Sequence, residues 1–241
     1  MVIKNCSKVI LLSVLLSSCA TSAPTNPLSS ITSQQQQLYD SGLRDTRVVE
    51  SWEITNKLNP VNIDNEGLIW QRIQGQDYVL VVTWAGSNIS WAKNDPKTGF
   101  FNTGKYDNWV TLVPDVKRYC SDLKTDNLKL KLEQSLGLPP QGNKSNFVEY
   151  WVKPSDLFRP CPDPEIHDTS CQISHNKNVS ESHNKWFELQ NLEKDYPWTK
   201  LGYTYNWGSF GPHKIGFSEY IISKNSNVVV KQTHSTLEYC S

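Results

Sequence analysis

Asp77-Tyr78-Val79-Leu80-Val81-Val82-Thr83-Trp84 follows Gly67-Leu68-Ile69-Trp70-Gln71-Arg72-Ile73 after only Gln74-Gly75-Gln76. The second run is apolar on both of its alternating faces, which marks a strand buried on both sides at the centre of a sheet. A short, glycine-containing link between two such runs closes a hairpin. Working outward, Asn108 to Val113, Asn146 to Val152, Leu201 to Trp207, Lys214 to Ser223 and Asn227 to Leu237 read as further strands. Pro114 stops the first of them, and the last two are joined around Asn225-Ser226.

Two segments carry helical periodicity. Thr125-Asp126 is a plausible cap for Leu128, Leu132 and Leu136, and Gly137 with Pro139-Pro140 ends that helix. Ser180-Glu181-Ser182-His183 leads into Trp186, Leu189 and Leu192, with an end near Asp195 ahead of Pro197. Pro154-Ser155-Asp156 starts one short turn. Residues 86 to 106 hold Gly86, Asn88, Asn94, Asp95, Pro96, Gly99, Asn102 and Gly104, turn chemistry over a span longer than an ordinary connection. No internal repeat is present. The sum is a single α+β domain over residues 38 to 241, mainly antiparallel sheet with two separate helices.

The N-terminus is a separate text. Lys4 and Lys8 precede an apolar run from Val9 to Leu16, closed by small residues and a cysteine. This is the pattern of a secretory signal peptide, too short for a stable spanning helix. The tetrapeptide Leu16-Ser17-Ser18-Cys19 resembles the lipobox of bacterial lipoproteins. The resemblance implies that residues 1 to 18 are a signal peptide, cleaved before Cys19, and that Cys19 carries a diacylglycerol thioether and an N-acyl chain. It also implies sorting to the outer membrane, periplasmic face, because Ala20 and not Asp follows the cysteine. An ordinary signal peptide cut around Ala20 to Ala23 is the competing reading. Residues 19 to 37, small and polar with Pro24, Pro27 and Gln34 to Gln37, are expected to form a flexible tether.

Charge narrows the partners. Lys plus Arg is 24 and Asp plus Glu is 24; without Lys4 and Lys8 the mature chain has 22 basic side chains against 24 acidic. Nothing here drives non-specific phosphate binding, so no nucleic-acid partner is expected. Of six cysteines, Cys6 leaves with the signal peptide and Cys19 is lipidated, so four remain. An even number in an exported chain points to two disulfides. Cys161 and Cys171 flank Pro162 and Pro164, which favours a local bridge and leaves Cys120 with Cys240. The C-x2-4-C spacing of zinc modules is absent, and no metal or other cofactor is expected.

Two segments are candidate sites. In Arg159-Pro160-Cys161-Pro162-Asp163-Pro164-Glu165-Ile166-His167-Asp168, carboxylates and a histidine sit in a loop stiffened by prolines and a disulfide. Such a loop has the ligand types for a divalent cation or an acid and base pair; as solvated loop charges the same residues need no function. In Gly202-Tyr203-Thr204-Tyr205-Asn206-Trp207, alternate rings project to one face of a strand, where they can stack on a sugar or a partner, or fill the core. His213 and Glu219 lie just beyond. Gly-x-Ser-x-Gly and phosphate-cradling Gly-x-x-x-x-Gly-Lys signatures are absent. The expected role is therefore a membrane-anchored domain that binds an envelope protein or glycan through Tyr203, Tyr205 and Trp207. The alternative is an envelope hydrolase or transferase using Arg159, Asp163, Glu165, His167 and Asp168, with His213 and Glu219.

Overall fold

The expected hairpin forms from β1 (Trp70–Ile73) and β2 (Gln76–Gly86), paired antiparallel from Trp70↔Val79 to Ile73↔Gln76. Gln74 at φ 49° and Gly75 at φ 78° both take left-handed backbone, the two-residue turn whose twist matches that of the strands. The structure, a computed structural model, describes residues 27–174 and 177–241, with side chains from Ser33 onward. Cys19 and the expected signal peptide lie outside the described residues. The further strands are β3 (Phe101–Asn102), β4 (Asn108–Leu112), β5 (Lys144–Val152), β6 (Leu157–Phe158), β7 (Tyr203–Tyr205), β8 (Ile215–Ile222) and β9 (Asn227–Ser235).

The sheet runs β3-β9-β5-β2-β4-β8-β6, with β1 also on β2 and β7 also on β8. All its pairings are antiparallel. Strand β2 is central, as its sequence requires, with β5 on one side and β4 on the other. Strands β8 and β9 follow one another in the chain but have three strands between them.

Alternation along the strands divides the core in two. Val79, Val81, Val148, Tyr150, Tyr220 and Ile222 meet Val61, Leu68, Ala92 and Ile166 from the loops. Tyr78, Leu80, Val82, Trp84 and Phe147 face the other way and meet a helical layer. That layer comprises Val116 and Cys120 of α2 (Val113–Asp122), Leu132 of α3 (Leu128–Ser135) and Tyr239 of α5 (Thr236–Tyr239). Each such buried side chain contributes about 1.5–3 kcal/mol.

Among the described residues five helices accompany the sheet: the two anticipated and three more. In α3 the Asn127 side chain accepts from Leu130 N–H, slightly beyond Thr125-Asp126. Helix α4 (Glu181–Gln190) is capped by Ser180, which accepts from His183 N–H. Pro114 opens α2 where it was expected only to stop a strand, because the first turn has no use for the amide hydrogen that proline lacks. Ser235 and Glu238 form a capping box that turns the end of β9 into α5. Helix α1 (Pro27–Asp45) takes in much of the expected tether. Tyr39, 3% exposed, packs edge-on against Trp207, and its hydroxyl donates to Asp195 O. A docking surface for Tyr39 is a tertiary fact that composition does not carry.

The turn-rich span 86 to 106 covers the β9 edge. Phe101 pairs with Val228, and the Asn94 amide brackets Val230, accepting from its N–H at 2.8 Å and donating to its C=O at 2.9 Å. An edge strand covered in this way offers fewer free backbone groups to another chain. Both expected disulfides are present: Cys120–Cys240, Cα atoms 5.1 Å apart, and Cys161–Cys171, 6.6 Å apart.

Candidate functional site

The acidic loop closes on itself. Arg159 is fully buried, and its Nη1 donates to Asp168 Oδ1 at 2.7 Å and to Ser170 O, while Nη2 donates to Asp168 O at 2.8 Å. Glu165 accepts from the His167 and Asp168 amides, and His167 Nδ1 lies 2.8 Å from Val61 O. Partial burial pushes the Asp168 carboxyl up, but hydrogen bonding with Glu165 and Arg159 and from Ser170 N–H outweighs it and holds the group below its usual range. Gly202, at φ +77°, leaves room for the guanidinium stem; a Cβ there would stand 2.6 Å from Arg159 Cδ. Among the described residues no group of three or more His, Cys, Asp or Glu could hold a metal ion. The loop is an arginine-centred brace, and its charges are spent on its own backbone. Arg159→Met should cost about 3 kcal/mol, since it removes the charge-assisted bonds that a fully buried guanidinium makes to Asp168 and two carbonyls. Urea unfolding checks this; an unchanged midpoint would mean that the disulfide alone holds the loop.

The aromatic strand is packed, not presented. Tyr203 is 3% exposed, Tyr205 5% and Trp207 2%. Tyr203 donates to Glu53 O, Tyr205 to Asp45 Oδ2 at 2.7 Å and Trp207 to Leu138 O. The expected contact face fails for Tyr203 and Trp207 because α1 and the 51–53 turn cover it. Tyr205 alone also reaches a cavity wall. His213 is exposed against Trp52, ring centroids 5.7 Å apart, and it does not line the cavity that Glu219 lines.

Two ionisable side chains with no protein partner among the described residues, Lys144 and Glu219, line one cavity. It has a volume of about 360 Å³ and lies between the sheet, the 136–138 segment after α3 and the 190–198 segment after α4. A compartment of about 100 Å³ adjoins it, sharing Trp109, Lys144 and Glu219 and adding Thr111. Trp109 and Trp198 meet edge to face, centroids 6.1 Å apart, and make an aromatic corner. Trp198 Nε1 donates to Pro160 O, which ties this wall to the brace.

Glu219 projects from β8 between Phe217 and Ile221, directly across from Thr111 of β4. Among the described residues its carboxyl has no hydrogen-bond or ion-pair partner, and burial pushes it up to about 8. Lys144, at the start of β5, is likewise unpaired, and burial pushes its ammonium down. The Thr111 hydroxyl, on a residue 6% exposed, also has no hydrogen-bond partner among the described residues. Thr204 differs, since its Oγ1 donates to Ser135 O and accepts from Phe217 N–H. Glu219 and Lys144 are partly exposed through the cavity, so a ligand can take the hydrogen bonds that the protein leaves open there.

No family model, curated protein or solved structure matches the chain.

The site therefore rests on geometry. Glu219 was among the sequence candidates, but with His213 and the acidic loop as partners; the structure gives it Lys144, Thr111, Trp109 and Trp198. A usable signal was present in Phe217-Ser218-Glu219-Tyr220-Ile221, where alternation puts a carboxylate on an apolar face. Lys144 gave no such signal, because a lysine at the first position of a strand is ordinary.

Proposed function

We propose that this protein is a lipid-anchored envelope lipoprotein whose folded domain binds a small glycan in the cavity beside Glu219. The observation that carries the reading is the aromatic corner of Trp109 and Trp198 set against Glu219, Lys144 and Thr111, side chains with no protein partner among the described residues. Sugars present apolar ring faces edged by hydroxyls, and such a corner meets both. The cavity volume falls within the range of about 300–1,000 Å³ seen for small-molecule sites.

The anchor rests on Leu16-Ser17-Ser18-Cys19 and on the two disulfides, which suit an oxidising compartment. Three acyl chains exceed the two needed for stable attachment. Among the described residues no helix is long and apolar enough to cross a membrane.

Two measurements test the reading. Labelled palmitate should enter the wild-type chain and not Cys19→Ala, which should leave the membrane fraction. Mature protein titrated with a panel of neutral and acidic oligosaccharides should show a saturable change in tryptophan fluorescence, reduced at least tenfold in apparent affinity by Trp198→Ala. A panel with no saturable binder would overturn the glycan reading and leave the anchor standing.

A further inference from the structure

We propose that the cavity selects an acidic saccharide, whose carboxylate pairs with Lys144 while its ring lies against Trp109 and Trp198 and its oxygens take hydrogen bonds from Glu219 and Thr111. This deepens the glycan reading and rests on it.

The selectivity follows from charge balance. Lys144 and Glu219 line the same cavity and its side compartment, yet they form no ion pair. A carboxyl with a pKa of about 8 is mostly protonated at neutral pH, so it offers an O–H donor and no compensating charge. Among the described residues Lys144 is then the one cation lining the cavity, half-buried and without an ion-pair partner. Its ammonium has lost part of its hydration, and an anionic ligand offsets that loss where a neutral one does not. The other titratable groups facing this space do not supply the anion. Glu193 and Asp195 are on the rim and exposed, where water and salt screen them. Tyr196 is exposed, and the hydroxyl of Tyr205 is already given to Asp45.

Ionising Glu219 would place a negative charge beside the bound carboxylate. Acidic-sugar affinity should therefore be highest below pH 7 and fall as pH rises through about 8. Affinity for a neutral sugar should change much less over the same range.

The test uses mature protein and two disaccharides, digalacturonate and its neutral counterpart digalactose, titrated by calorimetry at pH 6 and pH 9. The expected result is at least tenfold tighter binding of the acidic sugar at pH 6. Lys144→Met should erase that preference while keeping neutral-sugar binding, with an unchanged thermal midpoint confirming the fold. Glu219→Gln should keep the preference at pH 6 and lose less of it at pH 9 than wild type does, the remaining loss coming from Lys144, whose ammonium burial pushes down. Equal affinity for the two sugars, unaffected by Lys144→Met, would overturn the acidic selectivity and leave the glycan reading intact. Absence of binding by either sugar, together with failure of the wider panel, would overturn both.

Discussion

Changing Cys120 and Cys240 together to Ser is expected to lower the stability of the domain by about 5 kcal/mol, the largest loss foreseen for this protein. The bridge spans a sequence separation of 120 and joins the end of α2 to the residue after α5. Both cysteines pack in the helical half of the core, beside Phe147 and Tyr239. Breaking the link releases the C-terminal end from α2 and restores a long loop to the unfolded ensemble. Cys161–Cys171 closes a separation of only 10, so the same chain-entropy reasoning gives about 3 kcal/mol for its removal. Urea unfolding of the two double variants tests the order. A smaller loss for the 120–240 pair would show that packing of Tyr239 and the β9 ladder already hold the C-terminus.

Glu219→Gln is expected to make the protein more stable, increasingly so with rising pH. The folded pKa of about 8 lies above the ordinary glutamate value of 4.5. Below pH 4.5 the carboxyl is protonated in both folded and unfolded chains, and its contribution is fully present. Between pH 4.5 and about 8 the unfolded chain ionises while the folded one does not, and stability is lost at about 1.4 kcal/mol per unit. Above about 8 the loss levels off near 5 kcal/mol at most. Glutamine keeps the shape and hydrogen-bonding capacity without titrating, so the variant escapes the decline. Glu53, whose carboxyl burial pushes up to about 7, titrates in both proteins and cancels from the comparison. Urea unfolding at pH 5, 7 and 9 provides the check; a stability difference that stays constant with pH would mean that Glu219 is well solvated.

How much of this was legible beforehand depended on whether the cause was local. Tyr78 to Trp84 announced a strand buried on both faces, and the Gln74-Gly75 turn announced its hairpin, because alternation and left-handed turn residues are properties of neighbours in the chain. The helices after Asn127 and Ser180 were legible for the same reason, each with a polar cap ahead of an apolar repeat. Pro114 was ambiguous on local grounds, since proline ends a strand and opens a helix equally well. Counting and the short separation of Cys161 and Cys171 favoured the disulfide pairing that the structure shows.

The site was not legible in the same way. Three rings at alternate positions in Tyr203 to Trp207 make the same pattern whether they face solvent or α1, and only the docking of Tyr39 and the 51–53 turn decides it. The acidic loop resembled a ligand set until Arg159 was found beneath it, taking Asp168 and two carbonyls. Lys144, Thr111, Glu219 and Trp198 come from four separate parts of the chain, and no spacing rule connects them. The sequence by itself thus determined the antiparallel framework, its central strand and two helices, and favoured one pairing of four cysteines, because periodicity, capping and short separation act along the chain. Only the tertiary structure decided which polar groups are left without partners, because partnership and burial depend on what long-range packing brings near, and that is where the cavity and its unpaired Glu219 and Lys144 arise.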